Sequence, residues 1–272
     1  MVGSSVQVSL DGCTLRGQTA GEGPLLVLVP GGAGQAHQTD PMREMLKPRF
    51  EVVSYDRRGI SRSPLASGMT APTIQTHADD LHGLIETLGG GVLLFATSIG
   101  CLIALDLFAR YPHDVVKLVA HEPPDTHLLS GAVREETDAG LARLAQTFQI
   151  DGTGAALGQL GALIGLNPAE READAPELAV TPQFVQDMSF YFEHDLGAAR
   201  EYRLDIEALR AHRDRVIVGA GEQSGTLWTR LCAQALAQEL DLPLTSWPGG
   251  HNGPTAYPKA SARAVIEALA EA

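Results

Sequence analysis

The chain is poor in positive charge, aromatic residues and cysteine, and it has no long apolar run. Twenty Lys and Arg stand against 33 Asp and Glu, a formal net charge of −13 over 272 residues. Such a surface repels phosphate backbones and anionic bilayers, so neither nucleic acid nor membrane is an expected partner. Uninterrupted apolar stretches such as Leu25 to Val29 and Val92 to Ala96 stay far below the roughly 20 residues a membrane-spanning helix requires. Cys13, Cys101 and Cys232 are three, an odd number without Cys-x-x-Cys spacing, so neither a disulfide framework nor a zinc site is expected. Met1-Val2-Gly3-Ser4-Ser5 has no basic segment followed by an apolar one, and the expected location is cytoplasmic. What remains is an ordinary globular composition, 44% hydrophobic and 19% charged, long enough for one large domain or one domain with an insertion. The charge balance favours a small neutral or weakly polar substrate; no metal or organic cofactor is expected, and the oligomeric state is not readable.

Two regimes follow one another along the chain. In the first, strands alternate with helices. Val6 to Leu10, Asp11-Gly12 and Cys13 to Arg16 read as a hairpin around a tight turn. Leu25 to Val29, Val52 to Tyr55, Val92 to Ala96, Val115 to Ala120, Val216 to Gly219 and Leu242 to Trp247 are short apolar runs, the pattern of parallel strands covered on both faces. Helical periodicity spans Thr76 to Leu88 and Ile99 to Arg110, and strand, helix, strand in succession implies a mostly parallel sheet. In the second regime, from Asp125 to about His212, strand patterns vanish and Ala, Leu, Glu and Arg dominate, punctuated by Gly152, Gly154, Pro168, Pro176 and Pro182. This reads as a helical cap inserted after one strand, with residues 125–210 assigned to it and residues 1–124 and 211–272 to the core. A cap in that position covers the carboxyl ends of the strands, where ligands of open α/β sheets bind.

The chemistry-bearing residues begin at Ala96-Thr97-Ser98-Ile99-Gly100, set between the Val92 strand and a helical run. A reactive serine on a strand-to-helix turn needs small residues two positions before and after it, because the strained turn brings backbone segments together and points the hydroxyl out of the sheet. Ala96 and Gly100 meet that need. The helix N-terminus behind Ser98 supplies free amides and a positive dipole end suited to an oxyanion. The alternative is a serine that merely caps a core helix.

Four segments together resemble the α/β-hydrolase superfamily: Val29-Pro30-Gly31-Gly32-Ala33-Gly34, Tyr55-Asp56-Arg57-Arg58-Gly59-Ile60-Ser61-Arg62-Ser63, the turn at Ser98, and Pro248-Gly249-Gly250-His251. The resemblance covers the core on both sides of the insertion. It implies an eight-stranded, mostly parallel sheet flanked by helices, with a nucleophile, an acid and a histidine in that order along the chain. It implies that Ser98 is the nucleophile, His251 the general base, and the amides of Ile99 and Gly32, with Ala33 as the near alternative to Gly32, the oxyanion donors. His37 is a further candidate for the pocket wall, whereas His121, His127 and His194 are read as structural or solvated. Asp56-Arg57-Arg58-Gly59 is read as a structural turn whose arginines are tied to carboxylates or carbonyls bordering the pocket.

At the acid the pattern breaks. The superfamily usually places an Asp about three residues after a Val216-Ile217-Val218-Gly219-Ala220-Gly221 strand, but this chain reads Glu222-Gln223-Ser224. Two carboxylates remain, Glu222 in that loop and Glu122 after the Val115 strand. Glu122 is preferred, since some members of the superfamily take the acid from that earlier strand. The expected activity is a serine hydrolase that cleaves a small-molecule ester, thioester or lactone through an acyl-serine intermediate. The alternatives are a cofactor-free perhydrolase and a noncatalytic ligand-binding protein on the same fold. Met188 to Phe192 is expected to pack the cap onto the core rather than to line a substrate site.

Overall fold

The computed structural model describes residues 4–177 and 179–270. β1 (Ser4–Leu10) and β2 (Cys13–Ala20) form the expected hairpin, with Leu10 paired to Cys13 and Gly12 at a φ of +69° in the two-residue connection. β3 (Leu25–Val29), β4 (Glu51–Asp56), β5 (Val92–Thr97), β6 (Val115–His121), β7 (Val216–Gly221) and β8 (Leu244–Trp247) follow. All join one eight-stranded sheet in the order β1-β2-β4-β3-β5-β6-β7-β8. The first two pairings are antiparallel and every pairing from β4 to β8 is parallel.

Helices α1 (Asp40–Leu46), α2 (Ile74–Leu88) and α3 (Ile99–Arg110) lie before β6. Between β6 and β7 come α4 (Gly131–Leu163), α5 (Pro182–Phe190), a π-helical turn at Tyr191–Asp195, α6 (Leu196–Glu201) and α7 (Ile206–Arg210), with no strand among the described residues. α8 (Trp228–Glu239), α9 (Gly253–Ala256) and α10 (Pro258–Leu269) complete the chain. The two-residue side-chain period of the strands feeds two cores. Val27 and Val29 of β3 pack with α2, α3 and α8, while Leu26 and Leu28 point the other way and pack with α1 and α10. Every residue of α3 from Ile99 to Phe108 is buried, which explains why that helix is apolar all round rather than striped. Truncating its Leu102 to Ala would cost about 2–5 kcal/mol.

Element ends differ from the sequence expectation for local reasons. α2 begins at Ile74, two residues earlier than the periodicity indicated, because Thr73 and Thr76 form a reciprocal capping box. β8 begins at Leu244 rather than Leu242. The Leu242 amide closes the end of α8 on the Ala237 carbonyl with Asp241 left-handed at φ 54°, and Pro243 has no amide to pair. Gly152 adopts φ 79° and ψ −177° and kinks α4, so the glycine read as punctuation interrupts the helix without ending it.

Candidate active site

Parallel register aligns the carboxyl ends of the central strands. Val29 pairs with Ala96, Ala96 with Ala120, Thr97 with His121, and His121 with Gly219. The residues that follow those strands therefore converge beyond one edge of the sheet. Ser98 follows β5 with φ 51° and ψ −129°, a conformation that costs a non-glycine residue on the order of 1–3 kcal/mol. Its amide donates to the His121 carbonyl at 3.0 Å, and its own carbonyl accepts from Cys101 at 2.8 Å, which holds the corner. Gly100 cannot be larger: a β-carbon there would lie 2.6 Å from the carbonyl oxygens of both Val29 and Pro30.

His251 follows β8, 153 residues after Ser98, and the Ser98 hydroxyl lies 3.1 Å from its Nε2. Its Nδ1 donates at 2.7 Å to Glu122 Oε2, so the carboxylate fixes the tautomer that leaves the Nε2 lone pair facing the hydroxyl. Glu122 follows β6 at a left-handed φ of 52° and is completely buried. Each of its oxygens takes two donors. Oε1 accepts from the Gly221 amide at 2.9 Å and the Ser224 hydroxyl at 2.5 Å, and Oε2 from Thr229 at 2.6 Å and from His251. Burial pushes the Glu122 carboxyl up, but the His251 hydrogen bond and charge, with help from Ser224, outweigh it and hold the group well below the usual carboxylate range. A buried anion so satisfied stays ionised beside its imidazole. This arrangement is suited to drawing a proton from the hydroxyl as it attacks a carbonyl.

The amides of Gly32, Ala33 and Ile99 donate to no acceptor among the described residues, and all three residues line the same cavity as Ser98 and His251. Ile99 is free because it opens α3. The turn carrying Gly32 is held from behind by Arg57, whose guanidinium donates to the carbonyls of Gly31 at 2.7 Å and Gly32 at 3.0 Å. Arg57 is in turn paired at 2.5 Å with Asp195 of the inserted π-turn, which also accepts from His77 at 3.0 Å. Arg58 pairs with Asp80 and donates to the Asp11 carbonyl. The turn after β4 is structural, as its sequence suggested.

The cavity has a volume of about 200 Å³ and lies between these strand ends and the inserted helices. Its wall is mostly apolar, with Leu141, Leu160, Phe184, Met188 and Tyr191 contributed by the insertion and Trp228 by α8.

The comparisons with known proteins show the family and the fold. The family described as alpha/beta hydrolase fold matches residues 24–164, just over half of the chain. The chain belongs to that family. It is 28% identical over 257 residues to the uncharacterized hydrolase YraK of Bacillus subtilis, covering 93% of this chain and 91% of that one. Solved structures that share the fold include a thermophilic esterase from Thermogutta terrifontis, with TM-score 0.70, 20% identity and 98% of each chain covered. Naproxen esterase from Bacillus subtilis superposes with TM-score 0.69 at 16% identity, over 98% of this chain and 91% of that one. This protein is a hydrolase of the α/β fold.

Four sequence expectations about the hydrolase's site take a definite form in the structure. Ser98, His251 and Glu122 are brought together. The other carboxylate candidate, Glu222, is exposed, and its side chain bonds neither His251 nor any other described residue. His37 is exposed and does not line the cavity; its neighbour Gln38 does, because the 3₁₀ turn at Ala36–Thr39 points residue 37 outward. The stretch from Met188 to Phe192 divides its work. Phe192 packs on Phe148 at 5.5 Å and Phe190 covers Gly59, but Met188 and Tyr191 line the cavity. Ser224 and Thr229 were missed as partners of the acid. Only the serine at the usual acid position gave a signal, and it marked a substitution in the loop rather than a donor. The three cysteines are free and buried, and among the described residues no helix is long and apolar enough to cross a membrane.

Proposed function

We propose that the protein is a serine hydrolase that opens a small-molecule ester, thioester or lactone through an acyl-serine intermediate. One observation carries this reading: an unbroken hydrogen-bond chain from the Ser98 hydroxyl through His251 to the buried Glu122 carboxylate, at the floor of an apolar cavity. In the proposed sequence Ser98 Oγ attacks the substrate carbonyl while His251 Nε2 takes its proton. The amides of Ile99 and of Gly32 or Ala33 receive the oxyanion, and two such donors are worth several kcal/mol of the barrier. His251 then gives the proton to the leaving group, forming the acyl-serine. Water, deprotonated by His251, releases the acid. Glu122 stays ionised throughout and stabilises the imidazolium. Residues 125–210 act as a cap that supplies half of the residues of the substrate wall.

Fluorophosphonate labelling tests the nucleophile and the acid together. Wild type and Glu222→Ala are expected to label at the same rate, Glu122→Ala much more slowly, and Ser98→Ala not at all. Undiminished labelling of Ser98→Ala would reject the nucleophile, and equal rates for the two glutamate variants would reject the acid. An acyl-enzyme burst with an activated ester, absent in Ser98→Ala, separates turnover from mere ligand binding.

A further inference from the structure

The proposed chemistry leaves one charged group in the cavity without a task. Arg200, in the last turn of α6, lines the wall beside Leu196 and Ala199 of the same helix. Among the described lining residues it is the one permanently charged cation, and no Asp or Glu accompanies it. Its guanidinium bonds no described side chain. Asp138 lies near enough to feel its charge, but that carboxylate is engaged by Arg134 at 2.7 Å. Arg57, Arg58, Arg110 and Arg134 each hold a carboxylate. Arg200 is half-buried at this mostly apolar wall, and the planar fork of a guanidinium matches a carboxylate bidentately.

We propose that Arg200 anchors a carboxylate carried by the substrate. The compounds hydrolysed are then small esters, thioesters or lactones bearing one carboxylate, with the reacting carbonyl at Ser98 and the charged end at α6. The proposal rests on the reading of Ser98 as the nucleophile. One guanidinium matches one negative charge, whereas a phosphate dianion would leave a charge without a partner. The overall charge of −13 does not oppose this. At physiological salt, exposed charges are screened beyond about 8 Å, so the acidic surface slows encounter without setting the contact made inside the cavity. Composition alone favours a small neutral or weakly polar substrate, and the proposal departs from that expectation at this one arginine.

The test compares the mono-p-nitrophenyl ester of adipate with p-nitrophenyl hexanoate in wild type, Arg200→Gln and Arg200→Lys. Wild type is expected to favour the charged ester by roughly tenfold or more in kcat/KM. That ratio falls about 10- to 100-fold in Arg200→Gln, chiefly through KM for the adipate ester, and is partly restored in Arg200→Lys. A wild-type preference for hexanoate, or a ratio unchanged in Arg200→Gln, overturns the proposal. A second readout is independent of turnover, because Trp228 lines the same cavity. Hexanoate anion is expected to change Trp228 fluorescence in the Ser98→Ala variant, and hexanamide far less. Loss of that response on adding Arg200→Gln supports the anchor even if every ester proves inert. A response that ignores Arg200, or inorganic phosphate binding as tightly as hexanoate, overturns it.

Discussion

Ser224 donates its hydroxyl to Glu122 Oε1 at 2.5 Å, so the residue in the loop where an acid was first sought holds the carboxylate that the proposed mechanism uses. The two come from loops after neighbouring strands, β6 and β7. Glu122, after β6, meets His251 on its Nδ1 side, and Ser224, after β7, is a donor to the same carboxylate.

Glu122→Gln isolates the charge from the shape. The amide oxygen can still accept one hydrogen bond, but the amide nitrogen must face donors, and the tautomer of His251 is no longer fixed. On the proposed mechanism kcat on an activated ester is expected to fall on the order of 10³- to 10⁴-fold, while Glu222→Gln stays within about twofold. Steady-state kinetics on the two variants check this, and comparable losses would show that the carboxylate of residue 122 has no special role.

Ser224→Ala removes one of four donors from a fully buried anion. A hydrogen bond to a charged group contributes about 1.5–3 kcal/mol, so the midpoint of urea denaturation should drop correspondingly. Three donors remain, and kcat is expected to fall by about tenfold or less. With one lowering influence gone, the Glu122 carboxyl rises toward its ordinary range. A variant as stable as wild type would contradict the assigned hydrogen bond.

Much of this architecture is legible in the amino acids. α3 falls on the expected residues because an apolar run between a glycine-tolerant turn and Tyr111-Pro112 leaves no other reading, and the hairpin at Asp11-Gly12 is equally local. Ser98 stood out by its small neighbours Ala96 and Gly100 and His251 by the resemblance of its Gly-Gly-His loop, and the structure brings the two within 3.1 Å. Glu122 was readable only as one of two carboxylates, since the choice depends on which loop Gly221 and Thr229 close around, and that is a long-range fact. The wall of the cavity was not legible. Met188, Tyr191 and Arg200 sit on helices whose sequence looks the same whether a face meets the core or a cavity.

The pair between Arg57 and Asp195 ties the glycine turn to the inserted helices, and both side chains are almost wholly buried. Asp195→Ala leaves the guanidinium without a counter-charge, so a loss of about 3–5 kcal/mol is expected. The same pair gives a pH signature. Burial pushes the Asp195 carboxyl up, yet the Arg57 charge and then His77 outweigh it and leave the group lowered from 3.8. A depressed folded value means the stabilisation is present above the unfolded value near 4 and is lost as the pH falls below it. Wild type should therefore lose stability on acidification below about pH 4 more steeply than Asp195→Asn. Equal slopes for the two proteins would remove Asp195 from the acid response.

His121 supplies the opposite case, a base kept neutral. It lies fully buried between Glu122 and the edge of Trp247, at 6.3 Å between ring centroids, and neither ring nitrogen has a partner among the described residues. Burial lowers its value from 6.5 to about 4, against the pull of the adjacent Glu122 charge. Between those two values the unfolded chain binds a proton that the folded chain refuses. Stability is therefore complete above about pH 6.5 and declines as the pH falls toward 4, by about 2 kcal/mol between pH 7 and 5. His121→Leu removes the titrating group, and with it the buried ring nitrogens, so its urea midpoint should change less over that interval than the wild-type midpoint does. Should the two proteins lose stability in parallel from pH 7 to 5, the decline belongs to other groups and His121 is not the buried base.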